Sequence, residues 1–137
     1  MQKNVLFTKL ISLMLIITFL TLLNTNAVAG ADSITPPGNV DGSIVYGRST
    51  ISRGMASGYT YAPYYDPYVY CGVCGNYTAY STDLGLYHYD SDCNQALSSA
   101  VVSFSAPSGY KSVSITCTHY AEKNGIPWFE YTEDFYS

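Results

Sequence analysis

Basic side chains are scarce in this sequence. Six of its 137 residues are lysine or arginine, and two of the six, Lys3 and Lys9, belong to an amino-terminal segment of separate character. Beyond residue 29 only Arg48, Arg53, Lys111 and Lys123 remain, against ten acidic side chains, a side-chain charge of about −6. That balance cannot neutralise a phosphate backbone, so nucleic acid is excluded as a partner, and so is charge-driven approach to an anionic membrane. Long hydrophobic runs are also missing after residue 29. No stretch there sustains a 3.6-residue apolar period, which excludes long helices. Ser91 to Ser98 has room for one short helical turn. No internal repeat stands out.

The amino end differs. Lys3 and Lys9 precede an uncharged run from Leu10 to Leu23, and small and polar residues then lead to Ala27-Val28-Ala29. A basic start, an apolar stretch of this length and an A-x-A site specify a secretory signal peptide. The uncharged run falls short of the roughly 20 residues that crossing a bilayer requires. Removing residues 1–29 leaves 108 residues, which suits one domain. Residues 30–42, with Pro36-Pro37-Gly38 and Asp41-Gly42, read as a flexible leader, and 43–137 as the folded domain.

What the domain has in quantity is tyrosine, and all 15 tyrosines lie beyond the signal. Tyrosine suits strands, and it suits binding surfaces because its ring buries area while its hydroxyl keeps a hydrogen bond. Ser43 to Arg48 alternates as a first strand. Ile51 to Gly58 reads as a loop. Tyr59 to Tyr70 carries six tyrosines interrupted by Pro63 and Asp66-Pro67, and the prolines predict an extended loop or edge segment. Asn76 to Ser81 and Leu86 to Tyr89 follow as strands around a turn at Asp83 to Gly85. Farther on, Ala100, Val102 and Phe104 alternate with serines, as do Val113, Ile115 and Cys117 with serines and threonines. Asn124-Gly125 supplies a hairpin turn before Trp128 to Thr132. The expectation is all-β: a small antiparallel β-sandwich ending in a three-strand meander.

Cys71, Cys74, Cys93 and Cys117 all fall in the exported portion, where two disulfides are expected, with pairing left open by the spacing. Cys71-Gly72-Val73-Cys74 has the CxxC spacing of redox enzymes but lacks their βαβ setting. Four thiolates, with His119 as a substitute, would suit zinc by ligand type, but the other spacings match no standard module. Cys117 or Cys93 with His88 or His119 lacks a third group for nucleophilic catalysis, as does the Asp90 and Asp92 pair for acid-base work. Glu130, Glu133 and Asp134 read as solubility charges. No catalytic residue, cofactor or metal is therefore expected.

Several segments carry a resemblance. Asp41-Gly42-Ser43-Ile44-Val45-Tyr46-Gly47 resembles the opening strand of lactococcin-972-type bacteriocins. Ala79-Tyr80-Ser81, Tyr87-His88-Tyr89-Asp90-Ser91 and Ser99-Ala100-Val101-Val102 are similar to that family's central segment. Phe129-Glu130-Tyr131 to Phe135-Tyr136 is similar to its aromatic end. The resemblance implies a secreted β-sandwich that self-associates, with a homodimer as the expected assembly, and blocks septal wall synthesis by binding the lipid-linked precursor. The expected function is a bacteriocin-like protein that binds a cell-envelope component of competing bacteria. The alternative is a secreted carbohydrate-binding or adhesion module that uses the tyrosine-rich loop. Tyr64, Tyr65, Tyr68, Tyr87, His88 and Tyr89 are the expected contact residues, because aromatic and imidazole groups stack on and hydrogen-bond to sugar or pyrophosphate.

Overall fold

The computed structural model describes residues 30–137, and the predicted export signal at 1–29 lies outside the described residues. These residues form nine strands and no helix: β1 (Ala31–Ile34), β2 (Gly38–Val40), β3 (Ser43–Ile51), β4 (Met55–Tyr61), β5 (Tyr70–Ser81), β6 (Leu86–Leu97), β7 (Ser99–Ser105), β8 (Lys111–Lys123) and β9 (Ile126–Phe135). One sheet runs β1-β3-β4-β7, with β2 also against β3, and the other runs β6-β5-β8-β9. Every pairing is antiparallel. The two sheets pack face to face as the expected β-sandwich.

Several local expectations give way to long-range pairing. The leader at 30–42 contains two strands. β1 and β2 lie one after the other along β3, and Thr35 carries the ladder across the proline break, donating its N–H to the Gly47 carbonyl at 2.9 Å and accepting the Gly47 N–H at 3.0 Å. Val40 anchors the segment in the core. Residues 51–58 do not loop throughout, since β4 begins at Met55 and draws Tyr59 and Tyr61 into the sheet. Ser91 to Ser98 is not helical either: it continues β6, which pairs with β5 from Leu86 to Leu97. The carboxyl-terminal meander has two of its three strands. β8 and β9 form the Asn124-Gly125 hairpin, both turn residues having positive φ, but β7 pairs with β4 in the opposite sheet. The chain at Pro107-Ser108-Gly109 thus crosses between sheets.

The core is built from small residues around a few rings. Tyr77 is buried and stacks on Phe104 at 5.4 Å between ring centroids, with its hydroxyl 2.8 Å from Ser112 Oγ. Val45, Val73, Val102 and Ile115 fill the space around this pair. Close approach substitutes for aliphatic bulk at two glycines. A Cβ on Gly47 would lie 2.2 Å from Cγ of the His119 ring, and one on Gly58 would lie 2.2 Å from Cys117 Sγ. The backbone of β3 and β4 therefore rests directly on side chains of β8, an arrangement that interior packing density permits only to glycine.

Candidate functional site

Strand registers determine what the four-stranded sheet shows to solvent. Reading across β6, β5, β8 and β9, the outward positions are Leu97, Tyr70, Glu122 and Pro127; then Gln95, Gly72, Tyr120 and Phe129; then Cys93, Cys74, Thr118 and Tyr131. Below these come Ser91, Asn76, Thr116 and Glu133, then Tyr89, Thr78, Ser114 and Phe135, and finally Tyr87, Tyr80 and Lys111. Aromatic rings thus gather at both ends, with hydroxyls, one amide and the disulfide between. Tyr120 and Phe129 lie 4.9 Å apart at one end. At the other, Tyr87 sits 4.7 Å from Tyr80 and 6.0 Å from Tyr89. Six residues of β8 separate the two clusters, about 20 Å at the rise of an extended strand.

The usual pattern of a half-buried strand is inverted on β9. Thr132 and Asp134 point into the core, whereas Phe129, Tyr131 and Phe135 are 63%, 55% and 60% exposed. Asp134, expected as a solubility charge, is instead buried and accepts hydrogen bonds from Ser49 Oγ at 2.5 Å and Ser33 Oγ at 2.6 Å. Burying polar groups while leaving large rings in water opposes stability on both counts. Two hollows mark the face. One, of about 430 Å³, is lined by Tyr70, Gly72, Gln95, Thr118, Tyr120 and Phe129, among others. The second, of about 320 Å³, is lined by Asn76, Thr78, Tyr89 and Ser91 with neighbouring backbone. The Cys74–Cys93 disulfide lies between them in register, with Cys74 lining the larger hollow. Tyr70 donates its hydroxyl to Gln95 Oε1 at 2.7 Å, and Tyr120 donates to Glu122, fixing both rings.

The residues expected to bind together are not brought together. Tyr87 and Tyr89 lie on the outer face, but His88 points to the opposite side of β6, half-buried, with its ring edge-on to Tyr110 at 6.2 Å. Tyr64, Tyr65 and Tyr68 belong to the β4–β5 loop, which enters β5 at Tyr70, while Tyr87 pairs with Tyr80. Ten residues of strand, about 30 Å, separate the two groups. The loop tyrosines line a different cleft, of about 530 Å³, with Ile44 and Pro67 at the end of the sandwich. Asp66 secures that loop: its carboxylate takes hydrogen bonds from Lys123 Nζ at 2.7 Å, from Ser43 Oγ at 2.5 Å and from the Tyr68 N–H at 2.9 Å. These bonds, the lysine first, hold its pKa down at about 2. No local pattern groups Tyr70, Gln95, Tyr120, Phe129, Tyr131 and Phe135, although the period-2 spacing of Phe129, Tyr131 and Phe135 places those three on one face.

Only one of the two expected disulfides forms. Cys74 and Cys93 are directly opposite on β5 and β6, with Cα atoms 4.1 Å apart, whereas Cys71 and Cys117 are free and buried. Cys71 is opposite Ala121 and Cys117 opposite Gly75, so the two thiols lie four positions apart along the same pair of strands. That offset, about 13 Å, exceeds the reach of a disulfide. Burial pushes the Cys71 thiol up to about 11. Burial, and next the nearby Asp134 charge, push Cys117 up to about 12.

His119, two positions along from Cys117, is fully buried between the sheets. Thr60 donates its hydroxyl proton to the Gly72 carbonyl at 2.8 Å. The same oxygen, 3.0 Å from His119 Nδ1, must therefore accept, which places the ring proton on Nδ1. Nε2 is left to accept the Thr132 hydroxyl at 2.8 Å. This neutral, fully bonded imidazole has its pKa lowered by burial to about 4. Among the described residues no group of three or more His, Cys, Asp or Glu side chains is arranged to hold a metal ion.

No protein-family model matches the chain, and no curated protein matches it.

Proposed function

We propose that the protein is a secreted, non-catalytic binding module that holds an extended, uncharged glycan of a cell envelope on the outer face of the β6-β5-β8-β9 sheet. The inversion of β9 carries this reading: exposed rings persist where polar side chains would favour stability, and such faces mark binding surfaces. The ligand class follows from composition. Tyrosine and phenylalanine planes offer stacking surfaces, while Gln95 beside Tyr120 and Asn76, Thr116 and Thr118 between the two clusters supply hydrogen-bonding groups along the strands. The net negative charge disfavours an anionic polymer. An exposed disulfide accords with an oxidising compartment outside the cell.

Co-sedimentation of the purified protein with wall sacculi, chitin and cellulose tests the proposal. Depletion from the supernatant is expected with at least one polymer, and Phe129→Ala/Tyr131→Ala is expected to abolish it. Tyr64→Ala/Tyr65→Ala is expected to leave it intact. Binding lost in the loop variant and retained in the sheet variant would move the site to the loop cleft. The antibacterial action implied by the resemblance is a separate reading, since its lipid-linked precursor is a pyrophosphate and not an uncharged glycan chain. Growth arrest with failed septation in an indicator strain is its expected sign.

A further inference from the structure

The β4–β5 loop, residues 62–69, is fixed in place against local backbone preference. Ser98 clamps both of its ends, accepting the Ala62 N–H at 2.9 Å on its carbonyl and donating its own N–H to the Val69 carbonyl at 2.8 Å. In that position Ser98 has a positive φ of 69° and buries a hydroxyl that finds no hydrogen-bond partner. Tyr65 has a positive φ of 45°, which bulky residues rarely adopt. Such conformations persist where the surrounding structure enforces them, and they gather at functional sites. Here the enforcement comes from Asp66, whose bonds to Lys123 of β8, Ser43 of β3 and the Tyr68 N–H tie the loop to both sheets. What the loop displays is aromatic. Tyr64, Tyr65 and Tyr68 all stand exposed, and with Ile44 and Pro67 they line the cleft of about 530 Å³.

From these features we infer that the loop cleft is a docking site for an extended, proline-rich segment of another protein. The polar groups of the cleft are already occupied. Both Asp66 oxygens and Ser43 Oγ are bonded within the Asp66, Ser43 and Lys123 cluster, and the charges of Asp66 and Lys123 meet at 2.7 Å. Pro63 and Pro67 carry no N–H, while those of Ala62, Tyr65, Tyr68 and Val69 donate within the loop or to Ser98. A charged ligand therefore finds no free counter-charge, and a sugar finds few acceptors for its hydroxyl donors. Flat apolar faces edged by tyrosine hydroxyls remain. A polyproline II segment matches that inventory: its rings pack on aromatic faces, its carbonyls accept from hydroxyls, and its prolines have no N–H to satisfy. It arrives already extended, and the loop is already shaped, so little ordering is lost by either partner. The cleft shares no lining residue with the two hollows of the outer sheet face, so this site and the glycan site stand or fall separately.

NMR titration of the isotope-labelled protein with three probes tests this: end-blocked decaproline, a glycine-serine peptide of equal length, and chitohexaose. Decaproline is expected to give saturable shifts at Ile44, Ala62, Tyr64, Tyr65 and Tyr68, and the glycine-serine peptide none. Tyr64→Ala/Tyr65→Ala is expected to abolish the saturable shifts. Tyr64→Phe/Tyr65→Phe, which also serves if the alanine pair does not fold, is expected to weaken binding several-fold, because the rings remain but the hydroxyls that reach the carbonyls are gone. No saturation at millimolar decaproline, equal shifts with the glycine-serine peptide, loop shifts with chitohexaose in place of decaproline, or full affinity in the phenylalanine pair would each overturn the inference.

Discussion

Acidification should weaken this fold well before its carboxylates titrate, and His119 is the reason. The ring is neutral in the sandwich, bonded through Nδ1 to Thr60 and through Nε2 to Thr132, with its folded pKa lowered to about 4. Cys117 on the same strand is a protonated thiol, Asp134 is held by Ser33 and Ser49 and not by the ring, and Glu130, opposite His119 on β9, is exposed. In the unfolded chain the same histidine titrates near 6.5. Below that value the unfolded state binds a proton that the folded state does not, so stability is complete at neutral pH and falls as pH drops from about 6.5 toward 4. The difference integrates to about 2 kcal/mol lost between pH 7 and pH 5, and about 3 kcal/mol by pH 4. Urea unfolding followed by Trp128 fluorescence, in a His88→Asn background so that one histidine remains, measures the slope. His119→Gln should flatten it. A flat profile from pH 7 to 5 with His119 present, or a folded-state imidazole titrating near 6.5 by NMR, would refute the reasoning.

Other expectations follow from close contacts and from the cysteines. Gly47→Ala should cost about 2–4 kcal/mol or prevent folding, because its Cβ meets a ring locked by two hydrogen bonds. Gly72→Ala should fold normally, since its Cβ would meet Gln95 and Tyr120 at an ordinary 3.5 Å, yet weaken glycan binding several-fold by filling the larger hollow. Thiol titration should find no reactive thiols in the native oxidised protein and two after denaturation, namely Cys71 and Cys117. Cys74→Ser/Cys93→Ser should lower stability by about 3 kcal/mol, the loop-closure value for a separation of 19 residues. Two disulfides after denaturation, or a native thiol that reacts quickly, would contradict the assignment.

How much of this was legible depended on whether a strand buries one face. β7 alternates, with Ala100, Val102 and Phe104 inward and Ser99, Val101, Ser103 and Ser105 outward, and apart from Val101 the sequence reads accordingly. β8 follows the pattern until Val113, where a bulge opposite Thr78/Ala79 turns Ser112 inward instead. β6 buries almost nothing, so it lacks a period-2 signal and its second half resembles a helical turn. β1 and β2 carry little apolar content of their own, and their order comes from β3, which no local pattern reveals. The same limit applies to the site. Tyrosine abundance points to a binding surface, but which rings share a face depends on registers between β5, β6, β8 and β9. The proline-rich loop attracts attention by density, whereas the outer face is assembled from residues scattered from Tyr70 to Phe135.

Whether a glycan lies along the outer face of the four-stranded sheet is decided by an NMR titration of isotope-labelled protein with soluble fragments of whichever polymer retains it in the sedimentation assay. Saturable shifts concentrated at Gly72, Gln95, Thr118, Tyr120, Phe129 and Tyr131 are expected, with the 62–69 loop unmoved. Shifts confined to Tyr64, Tyr65 and Tyr68, or no saturable shift with any fragment, would contradict it.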